Sequence, residues 1–126
     1  MRALVCGSRT FDDREFLFAR LDDFHRITPI TLVIEGEAAG ADTLAKMWAI
    51  YKGVPWVEYP ANWVDFGRAA GPIRNRQMLV EGKPDIVIAF IDKLLKDSRG
   101  TKNMIMQASK AKVQTRLHST VHGYCG

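Results

Sequence analysis

The feature that most constrains this chain is a pair of glycine turns, each set directly behind a short apolar run. Ala3-Leu4-Val5-Cys6 leads into Gly7-Ser8-Arg9, and Thr31-Leu32-Val33-Ile34 leads into Gly36-Glu37-Ala38-Ala39-Gly40-Ala41-Asp42. A continuous β-branched or apolar run reads as a parallel strand whose two faces are both covered by helices. Glycine just past such a strand permits a tight turn and lets another molecule approach the backbone closely. Where a helix then begins, its unpaired N–H groups and dipole attract anions. Two such junctions in one chain predict a pocket for a phosphate-bearing ligand.

The rest of the chain repeats the pattern. The first strand is expected over about Arg2 to Cys6, followed by a helix with Asp12 and Asp13 at its start and Leu17, Leu21 and Phe24 at helical spacing. Thr28-Pro29 closes that helix, and Thr31 to Glu35 forms the second strand. A second helix from Ala41 carries Leu44, Ala45, Trp48 and Tyr51 on one face, with Gly53 as its C-terminal cap. Val54 to Tyr59 is a third strand, and Pro60 to Gly71 a long loop of the kind that often carries function. Pro72 is expected at the first position of a third helix reaching about Glu81. Ile86 to Phe90 is a buried strand, and Gly100-Thr101 opens a fourth helix with Thr101 as N-cap. Val113 to Leu117 reads as a last strand. Strands alternating with helices imply right-handed crossovers and a three-layer α/β sandwich around a mainly parallel sheet of about five strands. Ligands in such sheets sit outside the carboxyl ends of the strands, so the glycine junctions and the segment from Ile91 to Thr101 share one rim.

At 126 residues the chain is long enough for a single domain with a real core. No apolar run approaches the roughly 20 residues that span a bilayer, and Met1-Arg2 leads into a strand without a signal-peptide pattern. Cys6 and Cys125 do not make a disulfide framework, so a reduced, cytoplasmic protein without membrane contact is expected. The net charge of +4 suits nucleic acid or a small phosphorylated ligand alike. Because the Lys and Arg residues are scattered rather than blocked, nucleic acid is the weaker partner.

Each rim element has a functional and a purely structural reading. Gly7-Ser8-Arg9 offers amides, a hydroxyl and a guanidinium able to fork onto a phosphate; alternatively Arg9 pairs with Asp12 or Asp13. In the second loop Ala38 keeps the backbone approachable, and Asp42 either accepts ribose hydroxyls or caps its helix. Neither a Walker loop nor GxGxxG spacing is present, and no cofactor is expected. Arg74 and Arg76, both near the start of the third helix, face the positive end of its dipole. A bound phosphate would compensate them, as would Asp65 or Glu37. Trp63 could stack on a base, whereas Phe66 is expected to bury its ring and anchor the loop. His118, His122 and Cys125 stand at metal-like intervals, but three ligands in a C-terminal tail do not make a metal site. No nucleophile–base pair is recognisable, so catalysis would have to run through Glu35, Glu37, Asp42 or Asp65.

Together these motifs, from Val5-Cys6-Gly7-Ser8-Arg9-Thr10-Phe11-Asp12-Asp13 through Gly36 to Ala45, Gly53-Val54-Pro55, Pro60-Ala61-Asn62-Trp63, Ala70 to Asn75 and Pro84 to Phe90, resemble one group. It is the YspA-like branch of the SLOG superfamily, Rossmann-like domains related to the lonely-guy phosphoribohydrolases. The resemblance implies a nucleotide or nucleotide-derived ligand at the rim, and a homodimer as in lonely-guy relatives. It assigns ligand contacts to Gly7, Ser8 and Arg9; to Gly36, Gly40, Ala41 and Asp42; to Arg74 and Asn75; and to Gly100 and Thr101. Two departures stand out. Met104 occupies the position of the catalytic Glu in the lonely-guy Gly-Gly-x-Gly-Thr-x-x-Glu element, and an extra stretch, Asp92 to Asp97, precedes it. Methionine cannot transfer protons, so hydrolysis by that route is disfavoured. Glu37 stands where a small residue is usual; it either repels phosphate or supplies the missing carboxylate.

Overall fold

The computed structural model describes residues 1–121. Five strands, β1 (Arg2–Gly7), β2 (Leu32–Glu35), β3 (Trp56–Glu58), β4 (Ile86–Ile91) and β5 (Gln114–Ser119), form one sheet in the order β3-β2-β1-β4-β5. Every pairing is parallel. The apolar runs account for this: β4 is buried at all six positions, and alternate residues of β1 feed opposite layers. Ala3 and Val5 pack with Leu17 and Leu21 of helix α1 (Arg14–Ile27) and with Ala41, Ala45 and Trp48 of α2 (Ala41–Lys52). Leu4 and Cys6 pack on the other face with Met78 of α4 (Ala70–Gly82) and Met104 and Ala108 of α5 (Arg99–Lys110). The result is a Rossmann-like α/β sandwich. From β1 the chain winds one way through β2 and β3, then crosses to β4 and β5, so the order reverses between β1 and β4. That reversal opens a crevice at the strands' carboxyl ends.

Several boundaries differ from expectation. The segment Pro60 to Gly71 is not an open loop; it holds a one-turn helix α3 (Trp63–Phe66), capped by Asn62 accepting from the Asp65 amide, and a 3-10 turn at Gly67–Ala69. Helix α4 therefore begins at Ala70, which makes Pro72 its third residue rather than its first. Proline is accommodated there because the first four amides of a helix have no intrahelical partner. The same shift carries Arg76 into the second turn, exposed and away from the crevice, so the dipole argument does not apply to it. Helix α5 begins with Arg99 behind an N-cap at Ser98, and Thr101 is a buried first-turn residue instead of the cap. Strand β3 shortens to three residues because the Val54 amide is spent on the Ala49 carbonyl, closing α2 around Gly53. Strand β5 runs two residues further than expected, pairing Ser119 with Ile91. Among the described residues no helix is long and apolar enough to cross a membrane.

Candidate functional site

The crevice holds a cavity of about 600 Å³, within the usual range for small-ligand sites. Residues from four junctions converge on it: Gly7 and Arg9 behind β1, Ala38 and Asp42 behind β2, Trp63, Arg74 and Asn75 from α3 and α4, and Gly100 and Thr101 at the head of α5. Segments far apart in sequence thus meet at one mouth. Five cationic side chains line it (Arg9, Arg68, Arg74, Lys93 and Arg99), against two carboxylates, Asp42 and Asp97. Among the described residues none of the five forms an ion pair; the ion pairs lie elsewhere, between Arg20, Arg26 and Asp23, Lys46 and Glu58, and Lys52 and Asp22.

Close packing positions these groups. A Cβ on Gly7 would collide with the Phe90 carbonyl, where β1 meets β4 and the Ser8 amide donates to that same oxygen at 2.9 Å. Gly40, at φ 77°, lies against the backbone of Ser8 and Arg9, and the Ala41 amide donates to the Ser8 carbonyl at 3.3 Å. The two glycine junctions therefore brace each other. At Gly36 a Cβ would meet the Arg74 guanidinium and the Asp42 carboxylate. Arg74 donates through Nη1 to the Gly36 carbonyl at 2.6 Å and through Nε to Asn75 Oδ1 at 3.0 Å. Neither Asp65 nor Glu37 compensates it.

Asp42 is the cavity's buried acid. Its Oδ2 accepts from the Gly36 and Ala38 amides at 3.1 and 3.2 Å, which fixes the loop it closes. Burial pushes its pKa up to about 6, against the pull of those amides and of the Arg74 and Arg9 charges. Asn75 bridges α4 to α5, donating to the Gly100 carbonyl at 3.2 Å and to Asn103 Oδ1 at 3.1 Å. Trp63 is half exposed at the mouth with the Arg9 guanidinium 5.2 Å over its ring, a cation–π contact that spans the opening. Arg9 therefore faces Trp63 rather than pairing with Asp12 or Asp13.

Ser8, Gly36, Glu37, Gly40 and Ala41 do not line the cavity. Ser8 is buried, Gly36, Gly40 and Ala41 pack the floor, and Glu37 is exposed in a left-handed conformation at φ 58°. Glu35 lies buried beneath the same loop, its Oε2 accepting from the Glu37 amide and its Oε1 without a partner. Burial, then the Asp42 and Glu58 charges, raise its pKa to about 8. Phe66, expected to anchor the loop, is half exposed. Cys6 touches the cavity floor, its thiol pushed far above the ordinary range by burial. Met104 is fully buried in the α4/α5 core. Sequence reasoning missed Arg68, Lys93, Ser98, Arg99 and Asn103; only Ser98, a serine directly before a helix, carried a local signal. No group of three metal-ligating side chains occurs among the described residues, and His122 and Cys125 of the C-terminal trio lie outside them. His118 stacks on Phe90 with ring centroids 5.4 Å apart.

The family described as YspA, cpYpsA-related SLOG matches residues 1–66, the stretch that carries both glycine junctions. This chain belongs to that SLOG family. "Gene 61 protein" of Mycobacterium phage D29 is 34% identical over 117 residues, covering 87% of this chain and 90% of the relative. In this SLOG chain the family match ends just before α4, so Arg74, Asn75 and the α5 head lie in the portion shared with the phage relative's longer alignment.

Proposed function

We propose that this protein binds a nucleotide or nucleotide-derived phosphorylated ligand in the cavity between β1 and β4, sensing or sequestering it. The observation that carries the reading is the cavity's charge: five cations with no ion pair among the described residues, gathered around a crevice of nucleotide-binding size. Holding unpaired like charges together is unfavourable unless an anion joins them, and guanidinium groups fork well onto phosphate oxygens. The first-turn amides of α5 add donors and the positive end of a helix dipole to the same wall. Asp42 Oδ1 is available to a ribose hydroxyl, and Trp63 to a base face. SLOG membership favours a nucleotide-related ligand, and the phage relative favours a role in phage–host conflict.

A thermal-shift panel of mono-, di- and cyclic nucleotides tests this. A member of the panel raises the melting temperature of the wild type, and Arg74→Ala abolishes the rise. No response across the panel overturns the reading.

A second reading, cleavage of an N-glycosidic bond, is favoured by one observation: Asp42 lines the cavity with a pKa near 6, suited to proton transfer at neutral pH. Glu35, Glu37 and Asp65 do not line the cavity, and Glu37 is exposed. Free base released from a nucleoside monophosphate by the wild type but not by Asp42→Asn would establish turnover.

A further inference from the structure

The two ends of the cavity differ in how far their charges are already engaged. At the inner end Asp42, Asn75 and Met78 line it, all buried. Arg74 spends Nη1 on the Gly36 carbonyl and Nε on Asn75, and Arg9 lies over the Trp63 ring. Both cations also act on the Asp42 carboxylate. The backbone donors there are spent as well: the Gly36 and Ala38 amides donate to Asp42, and the Glu37 amide donates to Glu35. Three successive amides that hold the chain's own carboxyl groups have nothing left for a ligand's anion. A dianion set beside buried Asp42 would also meet like charge where screening is poor.

The outer end carries the unspent charge. Arg68, from the 3-10 turn Gly67–Ala69, lines the cavity there, as do Lys93 and Arg99 from the segment that joins β4 to α5. Arg68 and Arg99 are exposed and Lys93 is half-buried. Among the described residues none of the three forms an ion pair, and Asp97 is the one carboxylate lining that end. Over the whole lining, cations outnumber carboxylates by three, five against two. A single phosphomonoester carries about two negative charges at neutral pH and leaves part of that excess unmatched. A second phosphoryl group supplies the rest, and guanidinium forks suit its oxygens.

We propose that Arg68, Lys93 and Arg99 form an outer anion subsite for a run of two or more phosphoryl groups, so that a nucleotide lies with its nucleoside inward and its polyphosphate at the mouth. This rests on the phosphorylated-ligand reading of the cavity and goes beyond it in naming the ligand class and its direction. The family resemblance gives none of these three residues a role; two of them belong to the stretch around Asp92 to Asp97 in which this chain departs from the lonely-guy pattern. Their segments approach the cavity from separate parts of the chain, which suits an extended anion better than a compact one.

Calorimetry of the full chain with sodium pyrophosphate and with inorganic orthophosphate, near neutral pH and at low ionic strength, tests the proposal. The wild type binds pyrophosphate at least about tenfold more tightly than orthophosphate. Arg68→Gln and the Lys93→Gln/Arg99→Gln double variant each weaken pyrophosphate binding by about fivefold, the upper scale for exposed charge pairs. Arg9→Gln costs less than either, and Arg76→Gln, which removes an exposed charge away from the crevice, keeps wild-type affinity. The substituted side chains are exposed or half-buried, so the melting temperature without anion stays at the wild-type value and separates lost binding from lost fold. The proposal is overturned by equal affinity for the two anions, by wild-type pyrophosphate affinity in the Arg68 and Lys93/Arg99 variants, or by a larger loss in Arg9→Gln. Wild type that responds to a nucleotide of the panel but not to pyrophosphate overturns this proposal and leaves the broader reading standing; wild type that responds to neither overturns both.

Discussion

Gly40, beneath the cavity, and Gly100, on its wall, do different work. Gly40 sits in the left-handed region at φ 77°, and a Cβ there would strike the backbone of Ser8 and Arg9; around Gly100 the space is open. Gly40→Ala is therefore expected to cost about 2 kcal/mol or more, and Gly100→Ala to fall within about 0.5 kcal/mol of wild type, as read by denaturant unfolding. Glu35 gives a second test at the same scale. Its folded pKa of about 8 lies above the ordinary value of 4.5, so the folded state holds the extra proton. Its contribution to stability is thus fully present below pH 4.5 and lost as pH rises through 8. Glu35→Gln removes that loss: relative to the variant, wild type becomes steadily less stable across this window when unfolding is followed at several pH values. Equal pH profiles for the two proteins would contradict the assignment. The motif glycines were legible in the sequence, since only a turn or a close approach explains them behind an apolar run. The orphaned Glu35 oxygen was not, because burial of a strand-end carboxylate depends on the loop folded over it.

Among the elements, α5 carries most of the departure from the lonely-guy pattern. Its inward face presents Thr101 to the cavity and, one and two turns on, Met104 and Ala108 to the core shared with β1, β4 and α4. Met104 is thus a packing residue, and the position is unsuited to an acid in this chain. Met104→Glu buries an unpaired carboxylate and is expected to destabilise by about 3 kcal/mol or more, without conferring hydrolysis of a nucleoside monophosphate. Near-wild-type stability with new turnover would contradict this. Helical periodicity located α1 and α2, the start signals at Pro72 and Gly100-Thr101 located α4 and α5, and apolar runs located β1, β2 and β4, because these signals are local. The short helix α3 escaped because a single turn has no period to read, and its residues Trp63 and Phe66 are both half exposed and supply no buried face. That omission misplaced the start of α4 by two residues and with it the setting of Arg76.

At the scale of the molecule, the sheet's reversal between β1 and β4 gathers groups that the sequence scatters. A net charge of +4 is mild, yet five cations meet at one crevice. Alternation of strands and helices made the architecture legible, and with it the rim where the cavity lies. It could not reveal Arg68, Lys93 and Arg99 as cavity residues, since their segments lack periodicity and their positions follow from packing across the crevice. The account stands on convergence of donors from β1, β2, α4 and α5 upon a single bound molecule. Amide chemical-shift mapping during titration with the nucleotide that most raises the melting temperature tests it most directly. The predicted result is saturable shifts at Arg9, Ala38, Asp42 and Arg99 to Thr101, together with the Trp63 indole, all with one dissociation constant. Shifts confined to the outer faces of the helices, or spread along exposed Lys and Arg without saturation, would contradict it.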